Sequence, residues 1–377
     1  MKFLHISDLH IGKRVNEFSM IEDQKYILEK IKDIAFDEKV DAVFIAGDIY
    51  DKTVPPIEAV GLFDSFVTGL TKRGIKIYAI SGNHDSAQRV SFGAGLMRSD
   101  GFYISQAYGG NDEKESFKDN FGNVNIYMLP FIRPSDVRRF FDEKEITDYN
   151  SAVRTVIESI DVNLSERNII IAHQFVTGAI KSESEEVFAG GLDNVDSDVF
   201  KCFDYAALGH IHRPQNIGKN IRYCGTPLKY SFSEAGQQKS ATVVDMLEKG
   251  DIRFKTINLE PLRDMREIKG TYDFLTDRKN YKDTNVNDYI HATLTDENDI
   301  VDAITRLRSI YPNIMRLDYD NSRTQGAGDL SQIHANTSKT PIELFQELFE
   351  LQNNMEMTEE QKKLAEDTLN EAMEELL

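Results

Sequence analysis

The 377-residue sequence has no tryptophan, two cysteines and nine prolines, and these scarcities narrow its class. Cys202 and Cys224 stand apart with no Cys-x-x-Cys spacing, which argues against a disulfide framework or a thiolate metal site and predicts small buried thiols. No apolar run approaches the length needed to cross a bilayer, and Asp8 and His10 interrupt the first residues before a signal-like region forms. The expected setting is cytoplasmic, with no membrane partner. Positive charge is also short, since 44 Lys and Arg against 63 Asp and Glu give a net charge of −19. That weighs against nucleic acid, whose binding needs basic side chains to neutralise phosphates. The deficit is uneven, however. Residues 341–377 hold eleven acidic side chains and two lysines, and bound divalent cations would add positive charge where a phosphate must sit.

A hydrophobic share of 40% with 28% charged residues is that of an ordinary globular chain. The length predicts two or three domains. The first part alternates strand and helix, the pattern of an α/β layered domain. Strands are expected at 3–7, 41–46, 75–80, 124–129, 168–172, 205–208 and 221–224, with a closing hairpin at 241–246 and 252–257. Helices are expected over 23–39, from the spacing of Ile27, Ile31, Ile34 and Ala35, and after Pro55-Pro56, with Val60, Phe63, Val67 and Leu70 on one stripe. Residues 181–200 read as a long polar loop on the rim. This domain spans 1–262, and a smaller α+β unit follows over 263–320, with strands at 289–294 and 314–319 around a helix near 300–310. Residues 321–340 are rich in Gly, Ser, Asn and Thr and read as a flexible linker. Apolar positions from Ile342 to Leu351, and from Leu364 to Leu377 behind Thr358, predict a helix–turn–helix suited to docking on other helices.

Chemistry-bearing residues recur where these strands end. Leu208-Gly-His-Ile-His-Arg213 sets His210 and His212 two apart, so that both imidazoles can face one point. Asp8-x-His10 follows the first strand, Gly47-Asp48 the second, Gly82-Asn83-His84-Asp85 the third, and His173 closes the strand at 168–172. Each motif alone is weak, but α/β sheets gather their sites at the carboxyl ends of strands. Carboxylate, amide and imidazole donors together suit hard or borderline divalent ions. Two such ions activate a hydroxide for in-line attack on phosphorus. His84 would then face a phosphate as acid or cation, held by the Asp85 carboxylate. A local basic cluster, Arg133, Arg138 and Arg139, could meet a DNA backbone.

This ordered set resembles the calcineurin-like metallophosphoesterase superfamily. Ile6-Ser-Asp-Leu-His-Ile-Gly12, Ala46-Gly-Asp-Ile-Tyr-Asp51, Ser81-Gly-Asn-His-Asp-Ser86 and Tyr223-Cys-Gly-Thr-Pro-Leu-Lys-Tyr-Ser-Phe-Ser-Glu234 look more narrowly like the bacterial nuclease subunits that partner an SbcC-like ATPase. The resemblance implies a β-sandwich flanked by helices, a capping domain that orients DNA, and C-terminal helices received by the ATPase coiled coil. It implies two manganese ions: Asp8, His10, Asp48 and His212 on one, Asp48, Asn83, His173 and His210 on the other, with Asp48 bridging. It further implies exonuclease action on duplex ends and endonuclease action on single strands or hairpins, in DNA replication, recombination and repair, and dimerisation through nuclease-domain helices, for which 57–71 is the candidate. Lys13, Arg14, Arg89 and Arg213 flank the ligands as candidate phosphate contacts. The pattern departs at Asp51, where archaeal relatives carry a histidine. Two rival readings remain: a phosphatase or cyclic-nucleotide phosphodiesterase with the same ligands, and a scaffold without catalysis.

Overall fold

A computed structural model describes residues 1–111, 113–185, 193–298, 300–322, 324, 340–353 and 356–374. Contacts divide the chain into two compact units, Met1–Asp264 and Met265–Leu377. No helix among the described residues is long and apolar enough to cross a membrane.

The first unit is built on two six-stranded sheets. In one, Lys2–Ile6, Ala42–Ala46, Lys76–Ile80 and Phe102–Ile104 run parallel, and Ser240–Met246 with Ile252–Asn258 complete it antiparallel. In the other, Ile221–Tyr223, Tyr205–Gly209, Arg167–His173 and Gly122–Leu129 run parallel between the antiparallel edge strands Gln215–Ile217 and Lys114–Asp119. The central strands are unbroken apolar runs because both faces are covered: every residue of Ala42–Ala46 and of Arg167–His173 is buried.

One core joins the sheets. Phe3, Phe44, Tyr78 and Val244 of the first pack with Ile126, Ile169, Ile171 and Ala207 of the second. The outer face of the second sheet, with Ile170, Ala206 and Leu208, is covered in part by Val153, Val156 and Ile157 of the helix Tyr149–Ser159. Helices Ile21–Asp37 and Ile57–Thr71 pack on each other, and the latter packs against Lys76–Ile80. The layered α/β sandwich is thus the expected fold class, and its parallel strands bring their carboxyl ends to one edge.

The expected loop at 181–200 contains structure. Asn194–Val195 pairs in parallel with Phe175–Val176, and a 3-10 turn covers Ser197–Phe200, while 186–192 lie outside the described residues. The second unit carries a three-stranded parallel sheet, Met265–Gly270, Tyr289–Leu294 and Ile314–Tyr319, with Leu275, Ile290, Leu294 and Leu307 in its core. Most of the expected linker at 321–340 lies outside the described residues. Helices Pro341–Asn353 and Glu359–Glu374 follow and touch each other. Both open on capping boxes: Thr340 and Glu343 exchange side-chain to backbone bonds, as do Thr358 and Gln361.

Candidate metal centre

Asp8, His10, Asp48 and His210 all have positive φ, at 52°, 44°, 47° and 95°. Such conformations cost about 1–3 kcal/mol each for non-glycine residues and persist where the surroundings fix them. Here the fixing is visible. The N–H of Asp8 bonds the Gly47 carbonyl and that of His10 the Asp48 carbonyl, so the first two strand-end loops run as a pair. Gln24 donates to the His10 carbonyl at 2.7 Å and accepts from the Gly12 N–H, and the Tyr230 hydroxyl donates to the Leu9 carbonyl at 2.6 Å. Two glycines allow the close approach. A Cβ on Gly209 would stand 1.9 Å from the Ala46 carbonyl oxygen, and one on Gly82 would stand 2.1 Å from Asp48 Oδ1.

The five histidines 10, 84, 173, 210 and 212 gather at this edge, whereas His5 is a core residue whose Nδ1 meets the Tyr205 hydroxyl at 3.1 Å. Two groups of donors flank Asp48, and the His84 ring stands near enough to His10 and Asp48 to share an ion with them as well. In the first, His10 Nε2 faces His212 Nε2 at 3.2 Å, and Asp8, His10 and His212 are near enough to share an ion. In the second, Asn83 Oδ1 lies 3.0 Å from both His173 Nε2 and His210 Nδ1. Asp48 stands between them. Its Oδ1 accepts from the His84 backbone N–H at 2.9 Å, and its Oδ2 lies 3.3 Å from His173 Nε2 and 3.7 Å from His10 Nε2.

Burial makes the electrostatics severe. It would raise Asp48, yet His173 beside it holds the carboxyl well below the usual range. Asp8, fully buried and repelled by Asp48, is instead held above it. Burial disfavours an imidazolium at His173, but the charge and hydrogen bond of Asp48, then Asp8, outweigh it and push the ring up to about 9. His210 is pushed down to about 3 by burial and by His173. Two buried carboxylates facing several imidazoles form a donor set that fits divalent cations.

Asp85 does not do what its neighbour position implies. Its carboxylate accepts from the N–H groups of Ile49, Tyr50 and Gly82 at 3.0, 2.9 and 2.9 Å, tying the second strand-end loop to the third. Burial and Asp48 push it up to about 6 against those three bonds. His84 is oriented through Nδ1 by the Asp51 carbonyl oxygen at 3.0 Å. The candidate phosphate contacts scatter. Lys13 pairs with the Asp51 carboxylate at 2.7 Å, Arg14 bonds the Glu17 carbonyl, and Arg213 is exposed. Arg89, with Arg133 and Arg139, lines an open groove of about 520 Å³ that reaches Asn83. Arg138 turns away to the Ile146 carbonyl at 2.7 Å. Ser184 and Glu185, which no sequence motif marks, meet His212 at its ring and its backbone N–H. Their only signal was polarity in a loop expected on the rim.

Residues 1–214 match the calcineurin-like phosphoesterase family, and residues 261–353 match the type 5 capsule protein repressor C-terminal domain. The chain is 35% identical over 325 residues to the SbcD component of the SbcCD nuclease of Staphylococcus epidermidis, covering 84% of this chain and 85% of that protein. It belongs to the SbcD family. The corresponding SbcD protein of Staphylococcus saprophyticus is again 35% identical, with 84% of each chain covered. As an SbcD-family chain it carries the phosphoesterase domain on the sandwich, and the second matched region, 261–353, takes in the three-stranded sheet of the second unit and the helix Pro341–Asn353 but not Glu359–Glu374.

Proposed function

We propose that the chain is a two-metal DNA nuclease that works with an SbcC-like ATPase in processing DNA ends during replication, recombination and repair. The observation that carries this is Asp48: one buried carboxylate whose Oδ2 faces His10 of the first donor group and His173 of the second. In this reading Asp8, His10, Asp48 and His212 hold one ion, and Asp48, Asn83, His173 and His210 the other. The oxygen and imidazole donors suit manganese or iron better than a thiolate-loving ion, and we take manganese from the family resemblance. When bound, the ion pair supplies an activated hydroxide and charge stabilisation at phosphorus. His84 faces the departing or non-bridging phosphate oxygen, its ring set by the Asp51 carbonyl. Asp85 acts through the backbone, keeping Asp48 and His84 in register.

Substrate and partners rest on the family. The SbcD relatives favour a nuclease over a phosphatase, a cyclic-nucleotide phosphodiesterase or an inert scaffold, and the intact donor set supports catalysis. We assign exonuclease action on duplex ends, endonuclease action on hairpins and single strands, a capping role to the second unit, and a cytoplasmic setting. Homodimerisation is supported by an apolar groove along helix Ile57–Thr71, lined by Val60, Phe63, Val67 and Phe92, the last of them 85% exposed. The test is a side-by-side assay with manganese of hairpin DNA, a blunt duplex and a small phosphomonoester. Cleavage of both DNAs that Asp48→Asn abolishes is expected. Robust monoester hydrolysis with intact DNA would overturn the reading.

A further inference from the structure

The stretch ending in Ser231-Phe-Ser-Glu234 is part of the family motif, yet none of its side chains enters either donor group. Its end is buried instead. Glu234 is 0% exposed and Lys239 is 3% exposed, with Lys239 Nζ 2.5 Å from Glu234 Oε2. A buried ion pair is an expensive way to hold a chain together and calls for another reason. That reason lies at the other carboxylate oxygen. Ser184 Oγ is 2.5 Å from Glu234 Oε1 and 2.6 Å from His212 Nδ1.

Proton counting decides the direction of these bonds. A hydroxyl has one hydrogen, and a carboxylate paired with an ammonium only accepts. Ser184 therefore gives its hydrogen to Glu234 and must accept from His212. The His212 proton then sits on Nδ1, which leaves the Nε2 lone pair directed at His10 Nε2, 3.2 Å away. The backbone of His212 is fixed from the same side. Glu185 Oε1 accepts its N–H at 2.6 Å, and Lys239 Nζ donates to its carbonyl at 2.8 Å.

We propose that Glu234, acting through Ser184, is a positioning relay that selects the Nδ1–H tautomer of His212 and aims its Nε2 into the first donor group. Lys239 serves twice, keeping Glu234 charged and holding the His212 carbonyl. Neither Ser184 nor Glu234 is a catalytic residue. The proposal rests on the dimetal reading for its consequence but not for its chemistry, since the tautomer is set without metal.

The test uses the full chain with Ser184→Ala and Ser184→Thr, because altering the buried Glu234 or Lys239 risks the fold. Nitrogen-15 spectra of metal-free, histidine-labelled protein, with His212→Gln to assign the signal, read the tautomer directly. Wild type and Ser184→Thr should show His212 as Nδ1–H, and Ser184→Ala a mixture. In manganese titrations followed by electron paramagnetic resonance, Ser184→Ala should weaken one of two ions about 10–100-fold, the usual effect of losing an outer partner of a ligand. Ser184→Thr should restore it. Unchanged His212 shifts in Ser184→Ala would overturn the relay. Failure of the wild type to bind a second ion would instead count against the dimetal reading, while the tautomer spectrum would still decide the relay.

Discussion

His10 and His212, from opposite sheets, meet Nε2 to Nε2 at 3.2 Å in a site where both rings are buried. Two imidazole lone pairs at that distance repel unless a proton or a cation lies between them. Asp48 faces the pair from the side of His10, and the second group, His173, His210 and Asn83, lies across it. The two histidines of Gly209-His-Ile-His212 therefore belong to different groups although they are two residues apart. We expect His212→Ala to empty one ion and His210→Ala the other. Anomalous scattering from manganese-soaked crystals of the two variants checks this, and loss of the same ion in both would refute it.

His84 stands at the rim of the centre, its ring near enough to His10 and Asp48 to share an ion with them. Its backbone N–H bonds Asp48 Oδ1, and its ring is set by the Asp51 carbonyl. The backbone bond survives side-chain removal, so His84→Ala should keep both ions. The rate should fall by about 10²–10⁴, the usual worth of a positioned proton donor. Single-turnover cleavage with a parallel count of bound manganese tests both halves. A vacated ion in this variant would make His84 a ligand.

Much of this site was legible because each ligand follows a buried apolar strand, and a parallel sheet delivers strand ends to one edge. The position of a ligand in sequence then stands in for its position in space. What was illegible depends on contacts between distant residues. Asp85 looked like the partner of His84 by adjacency, yet three backbone N–H groups from two loops take its carboxylate. Ser184, Glu185 and Glu234 approach His212 from 22 to 28 positions away, a separation that carries no periodic signal. The edge strand Lys114–Asp119 was missed because one face is exposed and its residues are mostly charged. The helix Tyr149–Ser159 did carry a signal, the Asp148 cap with Ala152, Val153, Val156 and Ile157 behind it.

Metal binding should depend on pH through His173. Without metal, Asp48 and Asp8 overcome burial and hold its imidazolium up to about 9, so at neutral pH an incoming ion must displace a proton. Manganese affinity should rise roughly tenfold per pH unit between about 7 and 9 and level off above. Proton release, measured by calorimetry in buffers of different ionisation enthalpy, reports this directly. The sign reverses for stability of the metal-free protein. There the imidazolium stabilises the fold, fully below about pH 6.5, and its contribution fades as pH rises through 9. A flat affinity profile would show that His173 is neutral before metal arrives.

Arg167 is 2% exposed at the start of a central strand, and the Asp119 carboxylate meets it with two bonds. Its guanidinium also reaches the carbonyls of Met246, Leu247 and Gly122. Asp119→Ala leaves this charge buried with carbonyl partners alone. A loss of about 3 kcal/mol is expected, at the low end for breaking a buried pair. Burial works against the Asp119 carboxylate, but Arg167 holds it well below its usual range. Its contribution is therefore present above about pH 4 and lost as pH falls further. Urea unfolding of metal-free wild type and variant at pH 7 and pH 3 should show a gap that narrows at the lower pH. An equal gap at both would remove Asp119 as the cause.

We propose that the last helices bear on the ATPase rather than on cleavage. Leu344, Phe345, Leu348 and Leu364 are at least about a third exposed although the two helices touch each other. Amphipathic helices with apolar side chains left open are suited to docking in a groove between other helices. The capping boxes at Thr340 and Thr358 start both helices locally. None of the proposed metal donors lies beyond His212, and Tyr230, Glu234 and Lys239, which position them, also precede these helices. Deleting 341–377 should therefore leave manganese-dependent cutting of DNA by the isolated chain within about twofold and abolish co-purification with an SbcC-like ATPase. Replacing Leu344, Phe345 and Leu348 by Ser in the full chain should have the same effect with the helices kept. If complex formation survives both changes, the ATPase is held elsewhere on the chain, and the acidic surface of these helices must be explained by another contact.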